Sequence, residues 1–159
     1  MAQIPDRPQR NELQAARTEL FGDLCSVMSV NPHHKHRPMS VITETFFPAS
    51  RHGQCRVFYN EVAQPVGFVV WAQVDDAAHA RFISTLSLRI HISEWNDGSN
   101  LWILDFAAAP ESMRSVIAAC CEMFRDHSEA YFSKTNGQRV TLRAISAGDI
   151  ERLMARWRG

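Results

Sequence analysis

The chain has 159 residues, is 45% hydrophobic, and balances 17 lysines and arginines against 17 acidic residues. That length fits one domain with a real hydrophobic core, and the neutral balance gives no overall attraction for a phosphate backbone, which argues against general nucleic-acid binding. No apolar run approaches the roughly 18 residues of a membrane span, so stable membrane insertion is not expected. The opening MAQIPDRPQRNELQ has no apolar stretch of the kind a secretory signal needs, and the expected location is the cytoplasm.

Residues 1–10 carry two prolines, two arginines and no periodic pattern, which predicts a flexible N-terminal arm ahead of a single domain over 11–159. From Asn11, a plausible N-cap, Leu13, Ala16, Leu20, Leu24 and Val27 recur at helical spacing, and Pro32 stops the helix by restricting the residue before it. MSVITETFFPAS predicts a second, shorter helix that Pro48 ends, although its β-branched residues also suit a strand. Two strands follow, at about 54–59 and 66–74, with a polar turn near Asn60–Pro65; the second is almost continuously apolar, as in a strand buried on both faces. DDAAHARFISTL predicts a short helix, ISEWNDGSN a turn, and LWILDFAAAP another buried strand. Pro110 opens a helix with Met113, Val116, Ile117, Cys120 and Phe124 on one stripe. AYFSK and QRVTLRAI flank Thr-Asn-Gly as a hairpin, and GDIERLMARWR is a last amphipathic helix. This order predicts an α+β fold with a mainly antiparallel sheet flanked by helices.

The four cysteines, Cys25, Cys55, Cys120 and Cys121, form no CxxC pair, and the adjacent pair has poor geometry for a disulfide, so all four are expected to be buried free thiols. The seven glycines make no GxG, which removes the dinucleotide fingerprint; GxxxxGK[ST], GxSxG and HExxH are absent as well.

Chemistry concentrates in NPHHKHRPMS, where His33, His34 and His36 lie between two prolines. Histidine exchanges protons near neutral pH and ligates metals. A zinc site needs ligands converging from elsewhere in the chain, and no His-rich or Cys-rich partner segment is present, so no metal is expected. An exposed basic loop and a catalytic histidine remain open. The catalytic reading needs a partner, and Asp105 is the candidate, because a carboxylate inside LWILDFAAA is costly to bury unpaired. Trp71, Trp95 and Trp102 read as core or groove wall, and His79 and His91 as surface residues.

Three stretches in order, NPHHKHRPMS, HGQCRVFYNEVAQPVGFVVWA and EWNDGSNLWILDFAAAP, resemble the RTX toxin-activating lysine acyltransferases, chiefly over residues 20–110. Lys35, Arg37, Thr45 and Phe106 stand where that family usually has Arg, Trp, Asn and Trp. The resemblance implies a fold like that of the Gcn5-related N-acyltransferases, likeness to a family of dimers, and no bound cofactor. It implies transfer of a fatty-acyl group from acyl–acyl carrier protein to internal lysines of an RTX-type protoxin. It places the essential histidine at His34 and the essential aspartate at Asp105. Trp71, Trp102 and Phe106 are then candidates to line an apolar groove for the acyl chain. The rival readings are an inactive relative that serves as a protein-binding module, and a metal-binding histidine cluster.

Overall fold

A computed structural model describes residues 12–136, 139–146, 148–150, 152 and 155. The expected N-terminal arm, the Asn11 cap and most of the last helix lie outside the described residues, although 148–150 are helical.

Helix α1 spans Glu12–Val30. Leu24, Val27 and Met28 are buried, and Leu20 packs on the same cluster, whereas Ala16 on the expected apolar face is exposed. Among the described side chains, the apolar stripe meets the core from Leu20 onward. Helix formation stops at Val30, as expected of the position preceding Asn31-Pro32.

The next helix runs through Pro48 instead of ending there. Ser40 and Val41 are helical, Ile42–Phe46 form a π turn, and α2 continues over Phe47–Arg51. Proline has no N–H, so the carbonyl four residues earlier loses its partner, and its ring crowds that carbonyl. The backbone widens just ahead of it: the Phe47 N–H reaches back five residues to the Ile42 carbonyl. The widened turn leaves Phe46 fully buried, edge-on to Phe68 with ring centroids 5.4 Å apart.

Five strands make one mixed sheet in the order β1 (Cys55–Tyr59), β2 (Pro65–Val74), β3 (Asn100–Ala108), β4 (Glu129–Asn136) and β5 (Arg139–Ser146). Every pairing is antiparallel except β3 with β4. The change of direction comes from helix α4 (Met113–Met123), which carries the chain from β3 to β4. Helix α3 (Asp76–Thr85) follows β2 and is capped by Asp75, whose carboxylate accepts the Ala78 N–H at 2.8 Å. The hairpin expected around Thr-Asn-Gly is present, with Asn136 opposite Arg139.

The sheet has a core on each side. The larger holds Leu24, Val27, Phe46, Phe68, Val70, Phe82, Trp95 and Trp102. The smaller holds Val69, Leu101, Phe124 and Ala130, with Cys120 and Met123 of α4 packed on it. The Asn-Asp-Gly turn lies tight against the end of β2, because both Asp97 and Gly98 donate to the Gln73 carbonyl. A Cβ at Gly98 would stand 2.2 Å from the Val74 carbonyl oxygen, so only glycine fits there.

Two irregularities in β3 shape its carboxyl half. Val70 pairs with Asp105 and Trp71 with Ile103, leaving Leu104 as an extra residue in a bulge. Cys55, Val70 and Asp105 lie opposite one another across three strands. The bulge brings Leu104 onto the larger core as well, the side-chain re-aiming that bulges produce. In addition, β4 pairs with β3 only over Leu101–Ile103. Past Ile103, the stretch of β3 that carries Asp105 has no β4 partner among the described residues.

Candidate active site

The turn after α1 delivers the histidine. The Asn31 carbonyl accepts the backbone N–H groups of His34 and Lys35, each at 3.0 Å, and the Asn31 side-chain Oδ1 accepts the His33 N–H at 3.0 Å. This local winding turns His34 inward, 9% exposed, while His33, Lys35 and His36 stay exposed. The imidazole packs edge-on against Phe68, with centroids 5.6 Å apart. Its Nδ1 lies 2.9 Å from Asn31 Oδ1, and its Nε2 lies 2.8 Å from Asp105 Oδ1.

Asp105, also 9% exposed, is fully engaged. Oδ1 faces His34 and accepts the Phe106 N–H at 2.9 Å, and Oδ2 accepts from Arg37 in an ion pair. A buried carboxylate with two charge-capable partners and a backbone donor meets the condition under which such a group is tolerated in a core. The residues that join it are 71 and 68 positions away. Cys55 lies close enough to feel the carboxylate: burial first, and the Asp105 charge second, push its thiol up to about 12, so it stays protonated at neutral pH.

The structure thus brings His34 and Asp105 together and adds two residues that the sequence reading passed over. Arg37 was visible only as a departure where the family has Trp, and Asn31 only as the residue before Pro32. The i, i+3 spacing of Asn31, His34 and Arg37 was the available signal.

None of the three aromatic residues expected to line an acyl groove lines the cleft that Arg37 borders. Trp71 and Phe106 pack on the smaller core, with Trp71 edge-on to Phe124 at 5.3 Å. Trp102 is fully buried in the larger core, stacked on Tyr131 and in contact with Phe82. The alternation of β2 and β3 separates them, because Trp71 and Phe106 occupy the opposite face of the sheet from His34. Beside the pair lies a cleft of about 510 Å³ lined by Arg37, Glu44, Thr45, Arg89, Ile90 and Leu104, with Leu88 and Trp95, and neither His34 nor Asp105 is among its lining residues. Arg37 belongs to both the cleft and the pair, and Leu104 precedes Asp105.

His79 is half-buried rather than on the surface, with Nδ1 accepting from the Trp102 indole N–H at 3.1 Å. His91 is exposed and caps the short 3₁₀ turn Ile92–Glu94. The cysteines are free and only partly buried. Among the described residues, no three His, Cys, Asp or Glu side chains are grouped to hold a metal ion, and no helix is long and apolar enough to cross a membrane.

The chain is similar to two toxin-activating lysine-acyltransferases of Actinobacillus pleuropneumoniae. The RTX-II enzyme ApxIIC is 26% identical over 90 residues, covering 56% of this chain and 54% of that protein. A second, named as the RTX-III toxin-activating lysine-acyltransferase ApxIIC, is 24% identical over 88 residues, covering 55% and 50%. The chain spans about half the length of these relatives. The RTX toxin acyltransferase family (HlyC) matches residues 13–154, nearly the whole chain, and this includes every residue of the His34–Asp105 site. The chain belongs to the RTX toxin acyltransferase family.

Proposed function

We propose that this chain is a protein-lysine acyltransferase that moves a fatty-acyl group from acyl–acyl carrier protein to internal lysines of an RTX-type protoxin. We take its fold to be of the Gcn5-related N-acyltransferase kind, and the working unit to be a cytoplasmic homodimer. The single observation that carries the catalytic reading is the buried contact of 2.8 Å between His34 Nε2 and Asp105 Oδ1, assembled from distant parts of a chain in this family. The mixed sheet, with β4 leaving β3 beside Asp105, supports the fold assignment.

The chemistry follows from the acceptor. A lysine side chain is an ammonium at neutral pH, with a reference pKa near 10.4, and must become an amine before it attacks a thioester carbonyl. It releases one proton to solvent on binding. As the C–N bond forms, the amine gives a second proton to His34, directly or through water, and His34 returns it to the thiolate as the C–S bond breaks. Asp105 orients the imidazole and stabilises its charged form, and Arg37 holds the carboxylate in place. The thioester enters through the cleft that shares Arg37 with the pair.

The test incubates the protein with acyl–acyl carrier protein and an RTX protoxin, and reads the protoxin lysines by mass spectrometry. Wild type adds a fatty-acyl mass, and folded His34→Ala adds none. Near wild-type transfer by His34→Ala would remove His34 from the chemistry. No transfer by wild type, with the protoxin still bound, would make the chain a binding module. A donor-only incubation that leaves the acyl mass on His34 would replace the base role by a covalent one.

A further inference from the structure

We propose that Asn31 is a positioning residue for His34, holding a proton on Nδ1 so that Nε2 is the nitrogen that does the chemistry. A backbone N–H can only donate, and that of His33 donates to the Asn31 side chain at 3.0 Å. The atom it meets is therefore the amide oxygen, which removes the usual ambiguity in an asparagine's orientation. The same oxygen lies 2.9 Å from His34 Nδ1. Oxygen facing nitrogen at that distance is favourable only if Nδ1 carries the hydrogen.

The other side of the ring differs in kind. Nε2 faces a carboxylate oxygen at 2.8 Å, and a single proton fits between them, on the ring or on Asp105. With Asp105 ionised against Arg37, that proton lies on the ring while the contact is closed, and Nε2 is free to accept a proton only once the contact opens, whereas the Nδ1 site keeps its hydrogen either way. The two contacts also differ in reach. Asn31 and His34 are three residues apart in one turn, so their contact moves as a unit. The Nε2 contact bridges that turn to β3, and any movement of turn against sheet opens Nε2 first.

The inference deepens the acyl-transfer reading. The proton from the attacking amine arrives at Nε2, and the same proton leaves to the thiolate, while Nδ1–H stays with Asn31 throughout. If His34 carried the acyl group instead, Nε2 would be the atom acylated. In the serine-protease triad an aspartate holds the Nδ1 proton; in this chain a neutral amide occupies that place, and the aspartate stands at the reactive nitrogen.

Long-range proton–nitrogen correlation spectra of the folded protein decide the matter without any substrate. The His34 ring is assigned by its loss in His34→Gln. In wild type Nδ1 should read as protonated. A ring protonated on Nε2 with a bare Nδ1 would overturn the proposal. Asn31→Ala should move the neutral ring to that Nε2–H form, with Asp105 as its remaining acceptor, and Asn31→Asp should restore Nδ1–H. An unchanged Nδ1 signal in Asn31→Ala would equally refute the role. In the transfer assay Asn31→Ala should lower kcat about 10-fold or more with little change in KM, a part of the 10²–10⁴ that a positioned base supplies. A wild type that transfers nothing would defeat the acyl reading while the spectra still decide the Nδ1 proton.

Discussion

The indole N–H of Trp102 has one partner, Nδ1 of His79, at 3.1 Å, and Trp102 is fully buried. The indole is donor only, so His79 Nδ1 must be the acceptor and its ring proton must sit on Nε2. His79→Phe keeps an aromatic ring against Tyr131 and removes only that acceptor. An unsatisfied buried donor costs about 1–3 kcal/mol, so urea unfolding should show a loss of that size with an unchanged m-value; a loss below about 0.5 kcal/mol would mean that the indole finds another partner. His79 was illegible in the sequence for a physical reason. It sits on α3, opposite a tryptophan 23 residues later, and nothing in DDAAHARF marks which side chain will be next to it. Asp105 was legible because a carboxylate is out of place in an apolar strand; the histidine cluster closed by prolines marked its loop, and only the family resemblance singled out His34 within it. Arg37 carried no such mark, since an arginine in an exposed basic loop is the ordinary expectation.

At the scale of elements, α3 is tied to the turn that buries Trp95. Arg81 of α3 donates twice to Glu94, from two guanidinium nitrogens at 2.8 Å each, and Glu94 also accepts the His91 N–H at 2.7 Å. The hydrogen bond from Arg81, then that from His91, holds the Glu94 carboxyl down at about 2. A carboxylate depressed in the folded state stabilises the fold above its unfolded pKa, near 4.3, and loses that contribution as pH falls through the folded value. The Arg81 side chain is 42% exposed, so solvent screening reduces the pair to about 0.5–1 kcal/mol. Glu94→Gln should therefore be less stable than wild type by that amount at neutral pH, with the gap closing between about pH 4 and pH 2. A gap that persists at pH 2 would assign the effect to packing. Elements with strong local punctuation were readable in the sequence: α1 with Pro32, the turn at Asn-Asp-Gly, the hairpin at Thr-Asn-Gly. The helix that crosses Pro48 was not, because the rule that proline ends a helix omits the π turn, and the π turn is held by Phe46 inserting into a core that other elements build.

For the whole molecule, the sheet has a strong half and a weaker seam. β1, β2 and β3 pair over most of their lengths, with the larger core on one face and α4 packed at the other. β4 joins them through three register pairs, Leu101–Ala130, Trp102–Tyr131 and Ile103–Phe132. The Trp102–Tyr131 stack and the burial of Ala130 add to that seam but do not lengthen it. The parallel pairing that creates the seam could not be read from the chain, because periodicity shows that a strand is buried and does not show its direction. Local opening follows the least-supported boundary, so β4 and β5 should open as a unit before β1–β3. Hydrogen exchange read by mass spectrometry should find the amides of Val69–Val74 protected longest, and those of β4 and β5 exchanging earlier and together. The seam also ends beside the half of β3 that holds Asp105. A weak boundary there lets the sheet part next to the His34–Asp105 contact without unfolding the strands that carry Asp105. Uniform protection across all five strands would contradict this, and would leave movement of the 31–40 turn as the one way to open Nε2.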